Sequence, residues 1–287
     1  MHQSLQETIH RMALELQAVS AQSMQEAWWI LQTITKRTML QLLLDQNFAL
    51  TDEEKEQLDE ALYNRVEQEM PLQYILGQVP FCGMHILVEP PILIPRPETE
   101  EWVQWLIKKL APYKDKKFSI LDLGTGSGCI ALALAKHCPL ATVVGIDINQ
   151  DAILLAEKNK ASNNLSNVSF ILSDLFSKVE GSFDIIVSNP PYLSFQEWKE
   201  LESSVIDWED ARALAAGKTG LECYEKIING VRAHLTSDRV MGDLPRIIFE
   251  LGVSQVQAVT KMLADSGFGS IKVHQDMSHK DRWITAK

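Results

Sequence analysis

Apolar residues recur at helical spacing from the start of the chain: Leu5, Ile9, Met12, Ala13 and Leu16 form one stripe, and Trp28, Trp29, Leu31 and Ile34 a second. Thr51 followed by Glu54 is a capping box that opens a further helix through Leu58, Leu62 and Val66. The pattern predicts a small helical bundle over residues 1–70, with the adjacent tryptophans in its core. No chemistry is visible in it, so packing or partner recognition is its expected use. Residues 71–97 change to short β-type runs broken by glycine and proline. There Tyr74-Ile-Leu-Gly77 and Met84-His-Ile-Leu-Val88 predict a β-hairpin turned between Gly77 and Gly83, connecting the bundle to the C-terminal part of the chain. Pro97 then opens a helix, with Glu98 and Glu100 in the first turn where the helix dipole favours them.

From residue 98 onward, apolar runs of strand length alternate with helical stripes. The predicted strands are 118–123, 142–148, 168–172, 183–188, 247–251, 270–274 and 282–285, and the helices between them 129–137, 151–163, 221–235 and 255–265. Alternation of this kind implies an α/β fold, a seven-stranded Rossmann-like sheet with helices on both faces. Residues 198–217 are less regular and are expected to pack over the pocket at the strand ends.

Length and charge narrow the reading further. The 287 residues suggest two domains at roughly 150 residues each. A formal charge of −11 argues against a protein that holds nucleic acid mainly through phosphates. Cys82, Cys129, Cys138 and Cys223 are scattered without a CxxC pair and the histidines form no HExxH, so neither a metal site nor a disulfide framework is expected. No basic region followed by an apolar core opens the chain and no run reaches membrane-spanning length, which predicts a soluble cytoplasmic monomer with no membrane partner.

Candidate chemistry sits at the carboxyl ends of four successive strands, where open α/β sheets bind ligands. The first leads into Asp122-Leu-Gly124-Thr125-Gly126-Ser127-Gly128, whose glycines permit a tight turn and close approach to a ligand at a helix start. Gly126-Ser-Gly128-Cys-Ile-Ala131 satisfies a dinucleotide fingerprint, but the Asp122 carboxylate would repel a pyrophosphate. S-adenosylmethionine, with an amino group, a sulfonium and no phosphate, suits that carboxylate better. The second strand ends in Asp147, placed to accept both ribose hydroxyls. The third ends in Ser173-Asp174-Leu175, where a polar side chain can meet the adenine amine and Leu175 can cover the ring. The fourth ends in Asn189-Pro190-Pro191-Tyr192. Its prolines free the Asn189 and Pro190 carbonyls from any ladder or helix, Asn189 adds an amide and Tyr192 a flat face. Together they can grip a planar group that carries an NH2.

The glycine loop, Asp147 and Asn189-Pro-Pro-Tyr resemble the S-adenosylmethionine-dependent methyltransferases that act on planar NH2 groups. Pro71-Leu-Gln-Tyr-Ile-Leu-Gly, Leu93-Ile-Pro-Arg-Pro-Glu-Thr-Glu, Val187-Ser-Asn-Pro-Pro-Tyr, Ser266-Gly-Phe and Asp281-Arg narrow the likeness to the release-factor glutamine methyltransferases. That resemblance implies methylation of the side-chain amide in the Gly-Gly-Gln loop of class-1 peptide chain release factors, as partners. It implies cofactor contacts from the 124–128 loop, Asp147 and Asn189, with the glutamine held by residues 189–192. Leu175 stands where some members carry an aromatic residue, and Trp208-Glu-Asp-Ala-Arg-Ala-Leu replaces the Glu-Pro-Arg-type sequence common there.

An amide nitrogen is a poor nucleophile, so the expected task of Asn189, Pro190 and Tyr192 is to aim it at the methyl carbon and favour the charge developing on it. The same tetrapeptide also suits a flipped base, which keeps a nucleic-acid amino-methyltransferase as an alternative. A ribosomal-protein glutamine methyltransferase and a noncatalytic cofactor-binding adaptor are the others.

Overall fold

The computed structural model describes residues 4–237, 242 and 244–287. The chain divides into two compact units, Met1–Gln78 with Glu202–Trp208, and Val79–Leu201 with Glu209–Lys287.

The first unit is helical: α1 (Leu5–Leu16), α2 (Ser23–Thr35), α3 (Met39–Leu44), α4 (Asp52–Val66) and α5 (Leu72–Leu76). Complete capping boxes start α1 (Ser4 with Glu7), α3 (Thr38 with Gln41) and α4 (Thr51 with Glu54). Met12, Leu16, Ile30, Leu31, Leu42 and Leu58 are fully enclosed at its centre. Trp28 packs against this core, but Trp29 is 40% exposed, contrary to the reading of both as core. Neighbouring positions on a helix point about 100° apart, and Ala27, Ile30 and Leu31 already hold the inner face of α2. A second correction concerns Tyr74 to Leu76, which are the end of α5 and not a hairpin strand. Gly77 stops that helix at φ +70°, its N–H donating back to the Gln73 and Tyr74 carbonyls. This αL stop prevails over the β-type side chains.

The hairpin is made instead by β1 (Gln78–Phe81) and β2 (Met84–Leu87), with Cys82 and Gly83 both at positive φ in the turn. The second unit continues with α6 (Pro97–Leu110), β3 (Ser119–Leu123), α7 (Cys129–His137), β4 (Thr142–Asp147), α8 (Gln150–Ser162), β5 (Val168–Leu172) and β6 (Ile185–Ser188). Next come β7 (Leu193–Ser194), α9 (Phe195–Lys199) and α10 (Ser203–Ile206). Of the irregular 198–217 segment, Glu202–Trp208 including α10 belongs to the helical unit, where the Trp208 indole donates to the Gln68 carbonyl at 2.9 Å. The expectation that the whole segment covers the pocket therefore holds only for its later residues. α11 (Ala211–Leu214), β8 (Ala215–Gly217), α12 (Glu222–Val231), β9 (Ile247–Glu250), α13 (Val256–Asp265), β10 (Lys272–Gln275) and β11 (Asp281–Ala286) complete the chain.

The seven-stranded sheet has the order β10-β11-β9-β6-β3-β4-β5. From β9 to β5 neighbours run parallel, and β11 is antiparallel to both β9 and β10. Strand identity is thus as the hydrophobic pattern predicts, with ends displaced by a residue or two. Phe183 is one such case: it stands outside β6 and bridges Leu235 singly. Leu121, Ile186, Ile247 and Phe249 from the central strands pack with Ile227, Val259 and Leu263 into the main core. Parallel register brings the ends of β3, β4, β5 and β6 to one edge: Leu123 lies opposite both Ile146 and Ser188, and Asp147 opposite Leu172.

Candidate active site

At that edge a cavity of about 290 Å³ opens. Gly124, Gly126, Asp147, Asp174, Leu175, Asn189, Pro190 and Pro191 all line it. Each expected strand end therefore contributes to one site. Ile92 and Leu93, from the loop before α6, form another part of the wall, and Asp210, Arg212, Ala213, Ala215 and Ala216 a further one.

The glycine loop is fixed from behind. Thr125 donates its N–H to the Ile146 carbonyl and its hydroxyl to Asp122 Oδ2, at 2.8 and 2.6 Å. Gly128 closes the turn onto the Thr125 carbonyl at 2.8 Å, with φ +82°. Asp122, Thr125, Ser127 and Gly128 accordingly stand behind the cavity wall, while Gly124 and Gly126, at φ +71° and +55°, form its surface. A Cβ added at either would meet no neighbour within 4 Å, so the absence of side chains leaves a cradle.

Asp122 is fully buried, and that burial pushes its carboxyl up to about 7 against the lowering effect of Thr125. Its Oδ1 has no hydrogen-bond partner. Asp147 accepts from Gly126 N–H through Oδ2 and from Asn149 N–H through Oδ1, each at 2.9 Å, and burial raises it too. Carboxylate oxygens have further lone pairs, so Asp147, which lines the cavity, can still accept from a ligand, whereas Asp122 behind the wall does not reach one. Asp147, Asp174 and Asp210 face the cavity with Arg212 and Lys226, and Arg212 is paired with Asp210 at 2.6 Å. An acidic wall with its loop amide already held by Asp147 is a poor pyrophosphate site and a good one for a neutral ribose joined to a cation. S-adenosylmethionine fits this donor set. Asp147 would hold its ribose, Leu175 and Ile148 the faces of the base, and the Gly124–Gly126 cradle the remainder.

Asn189 follows β6 directly and is half-buried. Its side-chain NH2 donates to Thr99 Oγ1 at 3.1 Å; Thr99 donates to Glu250 Oε2 at 2.7 Å, where the Trp102 indole also donates at 2.9 Å. Burial raises the Glu250 carboxyl, while Thr99, Trp102 and Arg282 draw it down. Asn189 Oδ1 accepts from no described residue. Nor does anything among the described residues donate to the Pro190 carbonyl, in keeping with the prolines that follow Asn189. Tyr192 is not on the cavity wall: its N–H donates to the Leu214 carbonyl at 3.2 Å and its carbonyl accepts from Gln255 Nε2 at 2.6 Å. Burial pushes its phenol up to about 12, so it stays protonated. Arg96 is likewise off the wall, paired at 2.5 Å with the buried Glu209.

Sequence reasoning passed over Thr99, Trp102 and Glu250. Glu250 ends β9, the next strand in the sheet, so the strand-end rule that singled out Asn189 reaches it as well. Lys226 and Cys223 on α12 had no such signal.

Known proteins share this organisation. The profile described as "PrmC N-terminal domain" matches residues 7–77, and "Methyltransferase small domain" matches residues 86–217. The release factor glutamine methyltransferase of Lactococcus lactis subsp. lactis is 40% identical over 261 residues, covering 91% of this chain and 92% of that one. The protein of the same name from Thermodesulfovibrio yellowstonii is 36% identical over 261 residues, with 91% of each chain covered. Among solved structures, a methyltransferase from Pyrococcus furiosus shares the fold at a TM-score of 0.51 and 19% identity, covering 81% of this chain and 98% of that one. Identity at this level across nearly the whole of both chains shows that the protein is an S-adenosylmethionine-dependent enzyme belonging to the release factor glutamine methyltransferase family.

Proposed function

We propose that the enzyme methylates the side-chain amide nitrogen of the glutamine in the Gly-Gly-Gln loop of class-1 release factors. The observation that carries this reading is that the acceptor-rich turn Asn189-Pro190-Pro191 shares one cavity with the Gly124–Gly126 cradle and Asp147. The donor brings a methyl group on a positively charged sulfur that leaves as a neutral thioether. Asn189 Oδ1 and the Pro190 carbonyl take the two amide hydrogens of the glutamine, which fixes its nitrogen and draws positive charge toward them. Nitrogen bonds to the methyl carbon as the carbon–sulfur bond breaks, and the proton then leaves nitrogen for solvent. Tyr192, off the wall of this cavity, keeps its phenol protonated and is not the base.

Recognition of the factor is assigned to the N-terminal helices, residues 1–70, where α3 leaves Leu40 and Leu44 65% and 71% exposed. Residues 71–97 serve as the connection and 98–287 as the catalytic domain. A release factor partner places the enzyme where translation occurs. Among the described residues no helix is long and apolar enough to cross a membrane.

The test is methyl transfer from radiolabelled S-adenosylmethionine to a purified class-1 release factor, its Gly-Gly-Gln glutamine-to-alanine variant, duplex DNA and ribosomal RNA. Label on the intact factor and none on the variant is expected. Label on nucleic acid alone would move the function to base methylation.

A further inference from the structure

The hydroxyl of Thr99 has one proton to give. That proton goes to Glu250 Oε2, which also receives the Trp102 indole N–H, a group that can only donate. Toward Asn189, 3.1 Å away, Thr99 is therefore an acceptor, and the side chain of Asn189 must present its NH2. Its oxygen is left facing the other way. An asparagine amide is two-faced: turned by 180° it offers donors where it offered an acceptor, and an Asn189 NH2 group aimed into the cavity would repel the N–H groups of an incoming amide.

Three separate elements build this arrangement. Asn189 follows β6, Glu250 ends the adjacent parallel strand β9 with Ser188 opposite Phe249, and Thr99 and Trp102 lie in the first turns of α6. Thr99, Trp102 and Glu250 are each no more than 2% exposed, and none of them lines the cavity. The arrangement requires only that Glu250 Oε2, which accepts from both Thr99 and Trp102, carry no proton; burial and Glu98 oppose ionisation of the carboxyl, Arg282 on β11 favours it, and the Tyr224 hydroxyl is committed to the Glu250 main-chain carbonyl.

We propose that Thr99 and Glu250 are positioning residues that hold the Asn189 amide with its oxygen toward the acceptor, so that the polarity of the substrate-gripping turn is set from behind by a buried hydroxyl–carboxylate pair. This rests on the reading of Asn189 as a holder of the acceptor amide. It assigns a use to the threonine of the Leu93-Ile-Pro-Arg-Pro-Glu-Thr-Glu segment that neither a helix start nor a pocket wall accounts for.

The experiment compares wild type, Thr99→Val and Thr99→Ser as full-length proteins. Side-chain amide NMR reads Asn189 directly, its NH2 pair identified by loss in Asn189→Asp. In Thr99→Val the Asn189 NH2 resonances should move and exchange with solvent about tenfold faster, and Thr99→Ser should restore both. With a release factor as acceptor, kcat of Thr99→Val should fall about tenfold while KM and the S-adenosylmethionine dissociation constant stay within about twofold. Unchanged Asn189 resonances in Thr99→Val, or a Thr99→Ser that behaves like it, overturns the proposal. Should the wild type transfer no methyl to the factor while the Asn189 signals respond as expected, the substrate reading fails and the positioning role stands.

Discussion

Gly126 donates its main-chain N–H to the Asp147 carboxylate at 2.9 Å, so the glycine loop and the acid ending the neighbouring strand hold each other in place. The other oxygen of Asp147 receives Asn149 N–H, at the start of α8. One side chain thus ties two turns together while keeping lone pairs for a ligand.

Replacement of that residue separates the two duties. In Asp147→Asn only one amide atom accepts, so an NH2 group must face either Gly126 or Asn149 N–H. The expected outcome is a cofactor dissociation constant raised at least ~10-fold together with a stability loss of about 1–3 kcal/mol. Isothermal titration and urea denaturation measure the two; an unchanged dissociation constant would remove Asp147 from the ribose site.

Two glycines at the same edge should fail in different ways. A Cβ at Gly145 would lie 2.6 Å from Phe170 Cδ1 and 2.7 Å from Thr125 Oγ1, the hydroxyl that holds Asp122. Gly145→Ala is expected to cost about 1–3 kcal/mol, seen as a lowered melting temperature without ligand. Gly124→Ala meets no neighbour, but at φ +71° it pays an intrinsic penalty of about 1–2 kcal/mol and projects a methyl into the cradle. Cofactor affinity should therefore drop more in Gly124→Ala than in Gly145→Ala, and the reverse order in titration would contradict the cradle.

Much of this edge is legible in the sequence because buried parallel strands are short continuous apolar runs, and their polar last residues are conspicuous. Asp147, Asp174 and Asn189 stand out for that reason, and the fold brings them to one cavity. What is not legible depends on neighbours distant in sequence. Thr99 reads as an ordinary first-turn residue until Glu250, 151 positions away, takes its proton. Arg96 pairs with the buried Glu209, 113 positions away, which no local pattern announces. Tyr74, Ile75 and Leu76 carry strand-type side chains, yet the αL stop at Gly77 makes them a helix, a local backbone signal that outweighs side-chain preference over so short a run.

Asp122 gives a pH signature. Burial holds its carboxyl near 7, well above an unfolded aspartate at about 4, so between those values the native state binds the proton more tightly. Stability from this group is full below the unfolded value and is lost as pH rises toward 7, by about 4 kcal/mol in total. Asp147, Glu209 and Glu250 are raised as well and slope the wild-type curve the same way, so only a difference isolates Asp122. Asp122→Asn keeps a carbonyl oxygen for the Thr125 hydroxyl but has no proton to lose. Relative to wild type it should gain stability steadily from pH 4 to 7 and run parallel above. Urea denaturation of both ligand-free proteins at several pH values measures the difference; parallel curves through the whole range would mean that Asp122 is ionised in the fold despite its burial.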